Sequence, residues 1–192
     1  MKFYYYFRHK IFSNIANAQN CIILQQNLDL LSDWCVSNKL NLNVSKCYIL
    51  SFTRNKNAIC FDYKINEVRL NRKYLVKDLG VWFDARLSFN EHIDKKVNES
   101  AKMYGFIVRN CRLFTNMEAI ITLYFAYVRS RLEYCSSVWK PYYDCHKLKL
   151  ERIQRRFLKY LCFKVDGIYP ERGISEQFLC SRFYMDCLDL RR

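Results

Sequence analysis

Glycine and proline are nearly absent from this chain, four and two among 192 residues. So few breakers exclude a disordered or low-complexity polypeptide and predict helices and strands joined by short connections. No Cys-x-x-Cys pair occurs among the ten cysteines, and none of the three histidines, His9, His92 and His146, completes a zinc-ligand spacing. Those gaps argue against a disulfide framework and a zinc module. On apolar helix faces a free thiol acts as a small hydrophobe, so an intracellular, reduced protein is expected, cytoplasmic or nuclear. A long apolar run is missing too. The longest, Ala119 to Val128, is interrupted by Thr122 and followed by Arg129 and Arg131, and a bilayer needs about 20 such residues. The N-terminal MKFYYYFRHKIF has no small-residue cleavage site. Neither a signal peptide, a transmembrane segment nor a membrane partner is expected. No Gly-rich phosphate loop, Ser-His-Asp arrangement or activated-cysteine signature is present.

Acidic residues are scarce as well, 18 against 32 lysines and arginines, which leaves a formal net charge of +14. An excess of that size implies a polyanionic partner, nucleic acid ahead of a membrane surface. Half the residues, 51%, are hydrophobic, enough for the core of one domain or two small subdomains.

Periodicity gives a coarse architecture. Leu24, Leu28, Leu31 and Cys35 lie on one helix face flanked by Ile23, Leu30 and Trp34, with Asn20 as the expected N-cap. Asp29 and Asp33, one turn apart on the polar side, are expected to be surface residues rather than metal ligands. Cys47–Thr53 alternates like a strand, with Tyr48, Leu50 and Phe52 on one face. Residues 59–65 and 67–70 suggest a hairpin at Asn66, and Leu75–Phe83 a strand with Gly80 as a bulge or close approach. Helices are expected over Asn90–Arg112, Met117–Val138 and Asp144–Cys162. Their inward residues are Ile93, Val97, Ala101, Tyr104, Val108 and Cys111; Ile120, Leu123, Tyr127 and Leu132; and Leu150, Ile153, Phe157 and Leu161. The expected class is α+β, a helix with an antiparallel sheet followed by an all-α bundle, with the boundary near residue 86.

Cations concentrate on the third of these helices. Lys147, Lys149, Arg152, Arg155, Arg156 and Lys159 face only Asp144 and Glu151, and Arg152, Arg155 or Arg156, and Lys159 recur at helical spacing. Such a row can neutralise successive phosphates, or simply be a solvated face. Lys95, Lys96, Lys102 and Arg109 form a second basic side on the Asn90 helix. Most aromatic residues, Phe52, Tyr104 and Phe157 among them, fall at core positions rather than on a base-stacking surface. His92, beside Glu91, is expected at the surface or in a cap.

Several spaced segments carry a resemblance. They are LQQNLDLLSDWCVSNKLNLNVSKC at 24–47, VKDLGVWFDARLSFNEHI at 76–93, LYFAYVRSRLEYCSSVWKP at 123–141 and LERIQRRFLKYL at 150–161. YPERG at 169–173 and FYMDCLDLRR ending at Arg192 follow. In this order they resemble the C-terminal palm and thumb of a reverse transcriptase from a non-LTR, LINE-like, jockey-type retrotransposon. The resemblance implies a palm part over 1–86 and a thumb-like helical region over 87–192, truncated at its C-terminus.

Roles follow residue by residue. Lys46 matches the palm lysine that helps protonate the departing pyrophosphate. Leu79 and Gly80 match the hairpin that grips the primer end. The helices after residue 88 match the thumb that holds template–primer duplex.

The intact family would use two Mg ions held on aspartates of two palm strands. Lys10, Ile11 and Phe12 match the stretch after the family's Phe-Ala-Asp-Asp turn, yet Phe7 and Arg8 stand where the aspartates belong. Asp62, Asp78 and Asp84 fall in different elements and offer no evident substitute. The expectation is a truncated remnant of an RNA-directed DNA polymerase, inactive alone and binding no metal or other cofactor. It would bind RNA or RNA–DNA duplex weakly and electrostatically through Lys95, Lys96, Lys102, Arg152, Arg155, Arg156 and Lys159. Two alternatives stay open, a host-retained basic RNA-binding or interaction module and an active reverse transcriptase whose true start lies upstream. A palm piece without its partner strands is also expected to expose a sheet edge and to be poorly soluble.

Overall fold

The leucine-rich segment forms a 20-residue helix, α1 (Ala18–Ser37), in a computed structural model that describes residues 10–55, 59–171, 173–186 and 188. It begins before the expected Asn20. Asn17 is the N-cap: its Oδ1 accepts from the Asn20 N–H at 3.0 Å, and Asn20 Oδ1 accepts from the Asn17 N–H at 3.1 Å. This reciprocal capping box satisfies two orphan donors. Two asparagines three apart can each play either part, so the pattern does not rank them.

The described residues cluster into two compact units, one up to Val76 with Asp84–Leu87, the other Lys77–Phe83 with the residues from Ser88 onward. In the first, Cys21, Tyr63, Ile65 and Leu70 are buried, with Leu24, Leu28, Cys47 and Ile49 packed against them. Its strands are short. The expected strand over Cys47–Thr53 reduces to β1 (Tyr48–Ile49), while β2 (Lys64–Ile65), β3 (Val68–Arg69) and β4 (Asn71–Arg72) follow. β1 pairs with β4 in parallel, Tyr48 opposite Asn71, so this pair departs from the antiparallel expectation. Alternation ends with β1, and Phe52, expected in the core, is 45% exposed.

The hairpin expected at Asn66 does form, with Lys64 opposite Arg69 in antiparallel register. Asn66 and Glu67 both take positive φ, 48° and 61°, the geometry of a two-residue turn whose twist suits the strands. The Gln25 side chain accepts from the Lys64 N–H and donates to its carbonyl, both at 3.0 Å, and so satisfies the outer edge of β2 as a neighbouring strand would.

Leu75–Phe83 is not one strand. β5 (Leu75–Asp78) and β6 (Val81–Asp84) pair across the two residues Leu79 and Gly80, a connection that only antiparallel strands allow. Leu79 and Gly80 have φ of 44° and 85°.

The second unit is helical apart from its share of this hairpin. α2 (Asn90–Asn110) buries His92, Ile93, Ser100 and Ile107. α3 (Met117–Tyr124) runs through a π turn (Phe125–Arg129) into α4 (Ser130–Glu133), and the chain breaks at Cys135, φ 54°, before α5 (Ser136–Trp139). The helix expected over Met117–Val138 is thus interrupted twice. An i→i+5 turn carries one residue more than an α turn, which moves the buried stripe to Ile120, Tyr124, Val128 and Leu132 and leaves Tyr127 exposed. Arg129 is buried with them, its Nε donating to Glu133 at 2.7 Å and its Nη1 to the Asp186 carbonyl at 2.9 Å. α6 (Asp144–Asp166) buries Leu150, Ile153, Phe157 and Leu161 as expected, and α7 (Glu176–Arg182) packs beside it. Tyr124 and Phe157 stack with centroids 3.8 Å apart and planes within 4°. No described helix is long and apolar enough to cross a membrane. The nine described cysteines are free thiols.

Candidate nucleic-acid interface

The apolar stripe of α6 fixes where its cations go. With Leu150, Ile153, Phe157 and Leu161 turned into the core, residues 152, 155, 156 and 159 fall on a second stripe of the same helical period. They meet there as the spacing predicts. Arg152, Arg155, Arg156 and Lys159 line one side of a groove of about 590 Å³.

The opposite wall comes from the chain just after α6. Gly167 ends the helix in the left-handed region, φ 73°, where glycine has no Cβ to clash. The backbone then turns back, so that Tyr169, Pro170 and Glu171 face the cations. Two of the four cations fasten this wall. Lys159 Nζ donates to the Glu171 carbonyl at 3.2 Å, and Arg155 Nη2 donates to the Ile174 carbonyl at 2.7 Å. Arg155 Nε is buried with no hydrogen-bond partner among the described residues. Arg152 and Arg156 are exposed. Among the described residues that line the groove, four cations therefore face one carboxylate, Glu171. In a partly enclosed cleft such a field attracts anions more strongly than the same charges spread over open surface.

The α2 lysines lie elsewhere. Lys95 pairs with Glu91 at 3.7 Å and sits 3.6 Å above the centroid of the Trp82 ring, a cation–π contact. Lys96 pairs with Glu99 at 3.4 Å and its side chain is only 14% exposed. Lys102 is exposed but does not line the groove.

His92, expected at the surface, is fully buried. Its Nδ1 accepts from the Trp82 N–H at 3.2 Å and its ring meets Trp139 edge to face. Burial, with Lys96 nearby, pushes its pKa down to about 4. It is a neutral packing residue. Position beside Glu91 on a polar-looking helix start gave no sign of this.

Leu79 and Gly80 form the β5–β6 turn, and Tyr134 holds it. The Tyr134 hydroxyl donates to the Leu79 carbonyl at 2.9 Å, and a Cβ on Gly80 would lie 3.1 Å from the Tyr134 ring. Lys46 sits, exposed, in the 3₁₀ turn Val44–Lys46. Phe7 and Arg8 lie outside the described residues, as do 189–192.

Among the described residues no three or more His, Cys, Asp or Glu side chains gather as a metal site. Asp62 accepts from Arg69, and Asp84 accepts from the Arg86 N–H at 2.9 Å.

The groove's far wall escaped the sequence reading of charge and spacing. Tyr169 and Glu171 carry no periodic signal, and no local pattern marks the return of the chain after Gly167.

The chain is similar to the RNA-directed DNA polymerase from mobile element jockey of Drosophila funebris, 26% identical over 156 residues. The match covers 76% of this chain and 16% of that protein. No protein-family model matches the chain, and no solved structure does. The likeness supports an origin in a region related to reverse transcriptases.

Proposed function

We propose that this chain is a palm-and-thumb remnant of a retrotransposon reverse transcriptase that binds RNA or RNA–DNA duplex by its backbone and has no polymerase activity alone. The observation that carries the binding part is the α6 groove, where Arg152, Arg155, Arg156 and Lys159 converge on one cleft with Glu171 as the single acid among its described lining residues. Backbone phosphates are the repeating anions such a row can neutralise, and no sequence is read in doing so. The likeness to an RNA-directed DNA polymerase favours RNA, or RNA paired with DNA, as the polyanion.

The inactive part rests on the sequence. Phe7 and Arg8 occupy the positions that the resemblance gives to the aspartate pair. An arginine there repels the cation that two-metal phosphoryl transfer needs. Lys46, whatever its ancestral part in proton transfer, then has no pyrophosphate to serve.

Two assays test the two parts. In an anisotropy titration with labelled RNA–DNA hybrid, the Arg152→Glu, Arg156→Glu double variant should bind at least about tenfold more weakly at low salt. Equal binding would refute the interface. With annealed primer–template, deoxynucleotides and Mg²⁺, the purified chain should leave the primer unextended; extension would refute the inactivity.

A further inference from the structure

We propose that the α6 groove takes unpaired nucleic acid in preference to blunt duplex, one exposed base stacking on Tyr169 beside phosphates held by Arg152 and Arg156. The inference rests on the groove being a nucleic-acid interface and narrows what that interface accepts.

Tyr169 is 55% exposed. It stands directly across from the cation row rather than on a remote surface. Its position is fixed on several sides. Lys159 Nζ lies 5.9 Å from the ring centroid, and Phe163 packs at 6.3 Å with its ring tilted 47°. Pro170 restricts the next backbone torsion. The wall itself is tied to α6 by the Lys159 and Arg155 hydrogen bonds to the carbonyls of Glu171 and Ile174. A ring already held in place loses little freedom when it accepts a ligand.

Cations along one wall and a fixed aromatic on the other are the two components of single-strand recognition. The cations track phosphates, and the ring offers a face to any base. A base paired within a helix has both faces covered by its neighbours, and a blunt duplex uncovers a face only at its two ends, so unpaired bases offer Tyr169 far more places to stack. Arg152 and Arg156 are one turn apart on α6 and exposed, free to take adjacent phosphates. Glu171 repels phosphate from the Tyr169 end and can accept a hydrogen bond from a base amino group or a ribose 2′-hydroxyl. The groove thus has a polarity, with backbone on the α6 side and base on the Tyr169 side.

The test uses the full chain and one labelled RNA, presented as a single strand and as a blunt RNA–DNA hybrid. The single strand should bind more tightly. Tyr169→Ala should weaken the single strand by about 5- to 160-fold, the usual effect of losing one stacked base, and leave the hybrid nearly unchanged. Tyr169→Phe should keep the preference, which separates stacking from loss of fold or of the hydroxyl. Arg152→Glu with Arg156→Glu should weaken both ligands. Equal loss on both ligands, or none, in Tyr169→Ala while the arginine variant weakens both would overturn the stacking inference and leave the interface standing. An arginine variant that binds both ligands normally would overturn the interface and the inference together.

Discussion

The two units differ in the size of the core that each one buries. In the helical unit Ile120, Tyr124, Leu132, Leu150, Phe157 and Leu161 are all fully buried in one continuous cluster. In the smaller unit four buried residues, Cys21, Tyr63, Ile65 and Leu70, form the centre of the cluster. There α1 leaves Ile23, Leu30 and Trp34 on one stripe, 44%, 66% and 50% exposed. Those three residues fall at i, i+7 and i+11, the spacing of a buried face. Both units also leave large apolar side chains exposed, Leu113, Tyr142, Ile168 and Tyr184 in the helical unit at 90%, 88%, 76% and 98%, so the contrast between them lies in the size of the buried core.

The comparison breaks most sharply under core truncation. Phe157→Ala removes the stacking partner of Tyr124 and opens a cavity under α3 and α6, and should cost about 3–5 kcal/mol. Urea unfolding followed by circular dichroism would measure it. Should the loss fall below about 1 kcal/mol, the helical core is not the packed unit described. Hydrogen exchange makes the same point without mutation, because amides of α6 should outlast those around β1 to β4.

Next in size is Gly80→Ala. Its φ of 85° strains any L side chain, and the new Cβ meets the Tyr134 ring at 3.1 Å. A destabilisation of about 1–3 kcal/mol is expected. Tyr134→Ala combined with Gly80→Ala should recover the clash but not the backbone strain, which a double-mutant cycle would resolve.

A third prediction concerns pH. His92 is neutral in the folded protein because burial, and then the nearby Lys96, lower its pKa to about 4 against an ordinary 6.5, with Glu99 opposing and Lys77 adding to the shift. The folded value is depressed, so the unfolded chain binds the proton first. The contribution of the neutral ring is therefore complete above about pH 6.5 and is lost as pH falls toward 4. Denaturation midpoints across that window should decline in the wild type and lose that component in His92→Phe.

The smallest effect is expected on the exposed stripe. Trp34→Ala should leave stability within about 0.5 kcal/mol of the wild type. A larger loss in the isolated chain would mean that α1 packs more of itself than its exposure indicates.

How far the sequence could be followed depended on whether one period held throughout an element. α6 was legible because its apolar and cationic residues keep the same 3.6-residue period over about three turns, so core face and groove face came out together. α3 to α5 was not. Its π turn shifts the stripe by one residue and its break at Cys135 carries no glycine or proline to announce it. The β5–β6 turn was hidden for a related reason. Leucine is a poor residue at positive φ, so Leu79–Gly80 lacks the Asn-Gly signal of such turns, and the run read as one strand. His92 looked polar by identity and was buried by context. The groove needed a wall that returns from beyond the end of α6, and no local pattern encodes that return.

The interface is the claim on which the functional account depends, and its salt dependence tests it most directly. Plotting log Kd against log salt for the full chain on one RNA gives the number of phosphates neutralised. Replacing Arg152 and Arg156 by glutamine should lower that slope by about 1.4–1.8, the loss of two phosphate contacts. An unchanged slope would contradict it and place the nucleic acid, if it binds at all, somewhere other than the α6 groove.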